Sequence, residues 1–339
     1  MAKKAVFVTA ALLMMASVVV YANDQGGAKI KPHGPLVFAT VVKSIAFNWF
    51  KRMETGVVQF GKDKGVKAFM QGPSVADSAA QVSMIQELIA QKPTAILNVP
   101  YGVEEQEPVQ KKAMDAGIIV VTMESSNAKN AHYDVEAFDN KAFGEELMRQ
   151  LAAAMSKKGK YIQFVGALSN KSHGEWTDSA VAYQKANFPN MEFIGKYESK
   201  EDVETAYQIT KDMLKAHPDL AGIQGSAAGD TAGAARAVQE AGLAGKIAVG
   251  GTGIPSYSGD FLKSGAMTFA IAWDPRTQGY AANVVALKIV NGEKITDGMD
   301  LGVPGYNKIK LVTNTNGVKV IYGSAWIQFK VDNLDQYPF

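Results

Sequence analysis

The chain has 339 residues, 47% of them hydrophobic and 20% charged, with a formal charge of +2 and no cysteine. That balance excludes an intrinsically disordered chain, and the near-neutral charge argues against electrostatic binding to nucleic acid. Without cysteine there is no disulfide framework, no thiol nucleophile and no thiol for a lipoprotein signal to acylate, and a chain of this length needs no disulfide to be stable.

Met1 to Ala22, "MAKKAVFVTAALLMMASVVVYA", carries two lysines, an apolar stretch and the triplet Val20-Tyr21-Ala22. The stretch is short for a membrane span and the triplet fits signal-peptidase cleavage, so residues 1–22 read as a secretory signal with a mature chain starting near Asn23. Lys3 and Lys4 account for both units of the formal charge, which leaves the mature chain neutral. The expected compartment is a bacterial periplasm.

From Pro35 the chain alternates β-rich runs with amphipathic stretches. "PLVFATVV" (Pro35 to Val42), "VKAFMQG" (Val66 to Gly72), "AILNVP" (Ala95 to Pro100) and "IIVVTM" (Ile118 to Met123) are each followed by a helix-length segment or a loop. Asp77 to Gln91 has Val82, Ile85 and Ile89 on one helical face behind Asp77 in a capping position. Strand, helix, strand, helix predicts an α/β fold with a parallel sheet and right-handed crossovers. After the polar stretch "ESSNAKN" (Glu124 to Asn130) the pattern restarts with "HYDVEAF" (His132 to Phe138) and a long helix from Asp139 to about Ser156. "YIQFVGA", "EFIGKYES", "LAGIQGS", "IAVGGTG" and "TFAIAWD" then follow, each ahead of a helix or loop. The doubling predicts two doubly wound lobes joined by several short crossings, with the short strands and coil of 317–339 tying them together. The expected first lobe is 35–125 plus 275–298, and the second is 126–274 plus 299–339.

Few patterns associated with catalysis occur. The four histidines, His33, His132, His173 and His217, have no partner at a metal-ligand spacing, and there is no nucleophile elbow and no phosphate loop. The glycine cluster "GGTGIPSYSG" (Gly250 to Gly259) lacks the third glycine of the dinucleotide fingerprint and reads as a turn. No metal, cofactor or catalytic residue is assigned, and the chain is not read as an enzyme.

Polar and aromatic residues instead recur at the carboxyl ends of the predicted strands, where open α/β sheets bind ligands. Lys43, Phe47, Asn48 and Trp49 follow the first strand, Tyr101 the third and Glu124 the fourth. Ser172, His173 and Trp176 follow a later one, Ser226 and Asp230 another, and Trp273 and Asp274 the last. These are the candidate ligand contacts. Each has a structural alternative: the aromatics can cap a core, and Asp274, ahead of Pro275, can cap a helix.

Several stretches together resemble the type I periplasmic solute-binding proteins of bacterial sugar ABC transporters. They are "FKRMETGVVQFGKDKGV" (Phe50 to Val66), "AMDAGIIVVTMES" (Ala113 to Ser125), "DNKAFGEEL" (Asp139 to Leu147) and "GAARAVQEAGLAGKIAVGG" (Gly233 to Gly251). The similarity is greatest to the autoinducer-2 and rhamnose branch, including the stretch "VDNLDQYPF" (Val331 to Phe339). It implies that Lys43 points at a ligand, that Glu124 stands where the branch carries an aspartate, and that Asp274 is the acidic residue of the last hinge strand. Ser172 and His173 replace the branch's Asp-Gln pair, and "SAA" (Ser226 to Ala228) replaces its Pro-Asp-Ala turn, so a monosaccharide or polyol is as fitting a ligand as autoinducer-2. The implied partner is an ABC transporter membrane permease, and the implied state a monomer. A receptor feeding a chemotaxis or sensor partner is the alternative. A repressor of this fold would need a DNA-binding segment where the signal stands.

Overall fold

The computed structural model describes residues 34–339; the expected signal, residues 1–22, lies outside the described residues. The first part of the chain forms β1 (Val37–Val41), α1 (Asn48–Lys64), β2 (Lys67–Gln71), α2 (Ser78–Gln91), β3 (Ala95–Asn98), α3 (Val103–Asp115), β4 (Ile119–Met123) and β5 (Tyr133–Glu136). Then come α4 (Asn140–Ala154), β6 (Gly159–Val165), α5 (Lys171–Asn187), β7 (Met191–Glu198), α6 (Val203–Ala216), β8 (Leu220–Gly225), α7 (Ala228–Glu240), β9 (Ala248–Thr252), α8 (Pro255–Ser264) and β10 (Phe269–Ala272). The chain continues with α9 (Pro275–Val290), β11 (Lys310–Thr313), β12 (Lys319–Tyr322) and β13 (Ile327–Phe329). Two of the helix starts are set by single aspartates: Asp77 accepts the Ala80 N–H at 2.8 Å and Asp139 the Ala142 N–H at 3.1 Å.

The strands form two sheets, in the orders β11-β12-β5-β4-β3-β1-β2 and β13-β10-β9-β8-β6-β7. All pairings are parallel except the edge pairs β11–β12 and β10–β13. The α/β class and the two doubly wound sheets predicted from the alternation are therefore observed. Both sheets wind outward from their first strand, so each has its topological switch point beside that strand, between β1 and β3 and between β6 and β8. The central strands bury both faces, and separate apolar clusters form on the two sheets, Phe38, Phe60 and Val121 belonging to one and Phe164, Ile223 and Val249 to the other.

The polar stretch after β4 is a loop within the first sheet's lobe. β5 pairs with β4, Val121 opposite Tyr133, and with β12, Val320 opposite Asp134. Sheet membership thus carries residues 133–136 and the hairpin 310–322 into the first sheet, although the sequence reading grouped both with the second lobe. The reason is that strand pairing is non-local: "HYDVEAF" and its partner "KVIY" lie far apart in sequence, and neither encodes which sheet it joins.

The chain passes between sheets at 137–139, 273–274 and 323–326. Ala325 N–H donates to the Ala137 carbonyl at 3.0 Å and Gly323 N–H to the Glu136 carbonyl at 3.0 Å, so the first and third crossings are stitched together. Gly323 fits there for lack of a Cβ, which would lie 2.7 Å from the Gly305 carbonyl oxygen and 2.8 Å from that of Ala137. At the second crossing Trp273 Nε1–H donates to Gln278 at 2.7 Å, and Gln278 donates in turn to the Val135 carbonyl at 3.2 Å.

Asp134 and Glu136 alternate on β5, which puts both fully buried carboxyls on one face beside Glu124, Glu175 and Tyr306. Asp134 Oδ1 accepts the Thr122 hydroxyl at 2.8 Å and the Ser125 N–H at 3.1 Å, while Asp134 Oδ2 and Glu136 Oε1 are buried without a hydrogen-bond partner. Burial raises both pKa values, and for Glu136 repulsion from Asp134 raises it further. Unfolded carboxyls release protons near pH 4, whereas this pair holds its proton to higher pH. Its contribution to stability is therefore complete below about pH 4 and is lost as pH rises through the folded pKa. Asp134→Asn keeps an acceptor for both donors and is expected to flatten the fall of melting temperature between about pH 5 and 8. Melting scans across that range check this, and an unchanged slope refutes it.

Candidate functional site

A cleft of about 450 Å³, including its open mouth, lies between the lobes at the carboxyl ends of the strands. Lys43, two residues past β1, is fully buried there because its ammonium group sits between two carboxylates, at 2.9 Å from Glu124 Oε2 and 3.2 Å from Glu201 Oε1. Glu124 follows β4 in the first lobe, and Glu201 follows β7 in the second. Burial works to lower the pKa of Lys43, but the two carboxylates outweigh it and raise it, so the lysine is charged. Glu124 has φ 57° and Glu201 φ 59°, left-handed conformations that turn each carboxylate toward the lysine against the usual steric preference.

Aromatic rings make the walls. Phe47, Trp49 and Phe50 come from the start of α1, Trp176 from α5, Tyr257 from α8 and Trp273 from the second crossing. Trp49 meets Trp273 edge to face, with centroids 4.5 Å apart, and touches the apolar clusters of both lobes. Trp176 donates its Nε1–H to Asn140 at 2.7 Å. His173 Nδ1 accepts the Gly166 N–H at 3.0 Å, so the ring proton is on Nε2. Burial and the Lys43 charge hold His173 well below its ordinary pKa, leaving a neutral donor in the wall.

Three side-chain oxygens of the lining are buried with no hydrogen-bond partner: Glu124 Oε1, Ser226 Oγ and Thr252 Oγ1. Such groups cost about 1–3 kcal/mol each unless something supplies the bond. Ser226 and Thr252 stand at the ends of β8 and β9, on the second lobe's wall.

The structure thus brings together Lys43, Phe47, Trp49, Glu124, His173, Trp176, Ser226 and Trp273 of the predicted residues. Asn48, Tyr101, Ser172, Asp230 and Asp274 do not line the cleft. Tyr101 O–H reaches across to the Gly166 carbonyl at 3.2 Å, and Ser172 O–H donates to the Glu124 carbonyl at 2.9 Å, so both tie the lobes together beside it. Asn48 Oδ1 accepts a long 3.4 Å bond from Lys51 at the surface. Asp230 lies behind the wall, accepting from Ser199 Oγ at 2.5 Å and from the N–H groups of Ser226 and Ala227, which caps α7.

Asp274 caps α9 through the Arg276 N–H at 2.9 Å and holds Arg52 in a fork, at 2.9 Å to Nε and 2.6 Å to Nη2. The Arg52 guanidinium lies 4.5 Å over the Phe339 ring. Asp274→Asn keeps the cap acceptor and loses the charged fork. It is expected to cost about 1–2 kcal/mol of stability and to change ligand affinity less than about threefold. Melting temperature and titration calorimetry check this, and a tenfold loss of affinity at unchanged stability would make Asp274 a ligand contact.

The cleft is also lined by Phe50, Glu201, Tyr257 and Thr252, which are not among the residues expected from the sequence. The rule that found the others, a polar residue just past a strand, also applies to Glu201 after "EFIGKYES" and to Thr252 at the end of "IAVGGT". Among the described residues no group of three or more His, Cys, Asp or Glu is arranged to hold a metal ion, and no helix is long and apolar enough to cross a membrane.

Residues 38–294 match the family model described as a periplasmic binding protein domain. The D-ribose/D-allose-binding protein of Pseudomonas aeruginosa is 24% identical over 272 residues, which span 77% of this chain and 84% of the relative. Among solved structures, LsrB from Clostridium saccharobutylicum in complex with AI-2 superposes with a TM-score of 0.82 at 21% identity, over 90% of this chain and all of the other. A solute-binding protein from Clostridium phytofermentas with bound L-rhamnose gives 0.82 at 20% identity, over 90% and 98%.

Proposed function

The chain belongs to the periplasmic binding protein family, and from that premise we propose that it captures a small hydroxylated ligand between its lobes and delivers it to an ABC-type membrane permease. The observation that carries this reading is the pairing of unpartnered buried oxygens on Glu124, Ser226 and Thr252 with an aromatic surround. A sugar or polyol has the complementary surface: hydroxyl edges that satisfy the oxygens, and C–H faces that pack on Trp49 and Trp273. The similar proteins, named for ribose and allose binding or solved with AI-2 and L-rhamnose, support the same ligand class.

The protein binds and releases without altering its ligand. The first lobe comprises the first sheet with α1, α2, α3 and α9, and the second comprises the rest up to the crossings at 137–139, 273–274 and 323–326. Ligand contacts from both lobes favour the closed arrangement, and the permease reads it. The protein works as a monomer in the periplasm after removal of residues 1–22. A thermal-shift screen against pentoses, deoxyhexoses, tetritols, pentitols and autoinducer-2 tests the reading. The cognate ligand is expected to add about 2.7 kcal/mol of stability at a hundredfold excess over its dissociation constant. A screen in which no such compound raises the melting temperature refutes it.

A further inference from the structure

Glu201 takes a left-handed backbone conformation, yet its side chain is only 8% exposed and is turned into the cleft. Its Oε1 accepts from Lys43 of the opposite lobe at 3.2 Å and from Asn170 Nδ2 at 3.3 Å. Among the described residues lining the cleft, Lys43 is matched by two acidic side chains, Glu124 and Glu201, and His173 is held neutral. Counted formally, the balance is one surplus negative charge in a space walled by aromatic rings, and burial together with Glu124 raises the pKa of Glu201 against the opposing pull of Lys43. The N-terminus of α7, which would favour an anion, carries Asp230 in its own first turn, and that carboxylate accepts the N–H groups just ahead of the helix, Ser226 at 3.1 Å and Ala227 at 2.8 Å.

We propose that Glu201 is a specificity-determining residue: with Glu124 it outnumbers Lys43, so that the cleft accepts uncharged polyhydroxy ligands and rejects those bearing a carboxylate or phosphate. The proposal rests on the binding function proposed above. A ligand carboxylate about 5 Å from the surplus charge, at an effective dielectric constant near 20, is repelled by on the order of a hundredfold in affinity. A neutral hydroxyl in the same place donates to Glu201 or to the free Glu124 Oε1 and incurs no such penalty.

The test compares the parent with Glu201→Gln, which keeps the side chain's shape and one acceptor. Titration calorimetry uses D-ribose, D-allose and L-rhamnose, each beside its alditol and its aldonate, the alditol being open-chain like the aldonate but uncharged. The parent is expected to bind the neutral members at least about a hundredfold more tightly than the aldonates, and Glu201→Gln to narrow that ratio at least about tenfold. Parent affinity for an aldonate equal to that for its neutral counterparts overturns the proposal without touching the binding function, as does a ratio that Glu201→Gln leaves unchanged. A parent that binds none of the neutral probes overturns this inference, whereas the binding function falls only if the wider thermal-shift screen finds no ligand. Circular dichroism of the variant confirms that it is folded before the ratio is read.

Discussion

Lys43→Met is expected to weaken ligand binding by at least about a hundredfold and to drive the lobes apart. In the closed arrangement the substitution leaves two buried carboxylates, Glu124 and Glu201, facing each other across the cleft with the shared cation gone. Removing one partner of a buried ion pair costs about 3–5 kcal/mol, because the remaining charge is neither solvated nor paired. The Glu124 carboxylate can recover water only if the cleft opens, which strains the two neighbouring bonds between the lobes, Ser172 O–H to the Glu124 backbone carbonyl and Tyr101 O–H to the Gly166 carbonyl. The cost therefore falls on closure more than on the fold of either lobe. Small-angle scattering should show a larger radius of gyration for the variant, and titration calorimetry the loss of affinity. A variant that keeps the parent's radius and binds within a factor of ten would show that the lysine is dispensable.

Trp273→Ala is expected to lower stability by about 3–5 kcal/mol, the range for truncating a buried large aromatic. The ring is 2% exposed and touches Trp49, Phe138, Trp176 and Phe143 with centroids 4.5, 5.0, 5.8 and 6.5 Å away. Its loss leaves a cavity where the second crossing meets both lobes, and it strands the Gln278 oxygen that accepts the indole N–H. Ligand affinity should fall too, because Trp49 loses the edge that orients it in the cleft wall. Trp273→Phe separates the two causes: it refills much of the volume without the N–H, and should recover more than half of the stability. Melting curves of both variants decide it, and a change below 1 kcal/mol for Trp273→Ala would mean that the crossing is not held by this ring.

The strands were legible because their apolar runs are short, β-rich and punctuated, and the helices because period and caps agree, as in Asp77 ahead of Ser78–Gln91 and Asp139 ahead of Asn140–Ala154. The location of the cleft followed from one rule, that ligands bind past the carboxyl ends of parallel strands, and that rule placed Lys43, Trp49, Glu124 and His173 in it. The roles of the aspartates were not legible. Asp230 and Asp274 look from sequence like acceptors at a binding edge, yet each is already used, by helix N–H groups and by Ser199 or Arg52. A carboxylate's partner is fixed by what folds against it, and Arg52 is 222 residues away from Asp274.

By itself, then, the sequence determined what depends on neighbours along the chain: the elements, their alternation, the doubling into two lobes and the edge on which a ligand would sit. Tertiary structure alone decided that β5 and the hairpin of β11 and β12 join the first sheet, and that Glu201 crosses the cleft to share Lys43 with Glu124. The physical reason is the same in each case. Periodicity, capping and turn chemistry act over a few residues, whereas strand pairing and burial of charge are settled by partners that only the folded chain brings within about 3 Å.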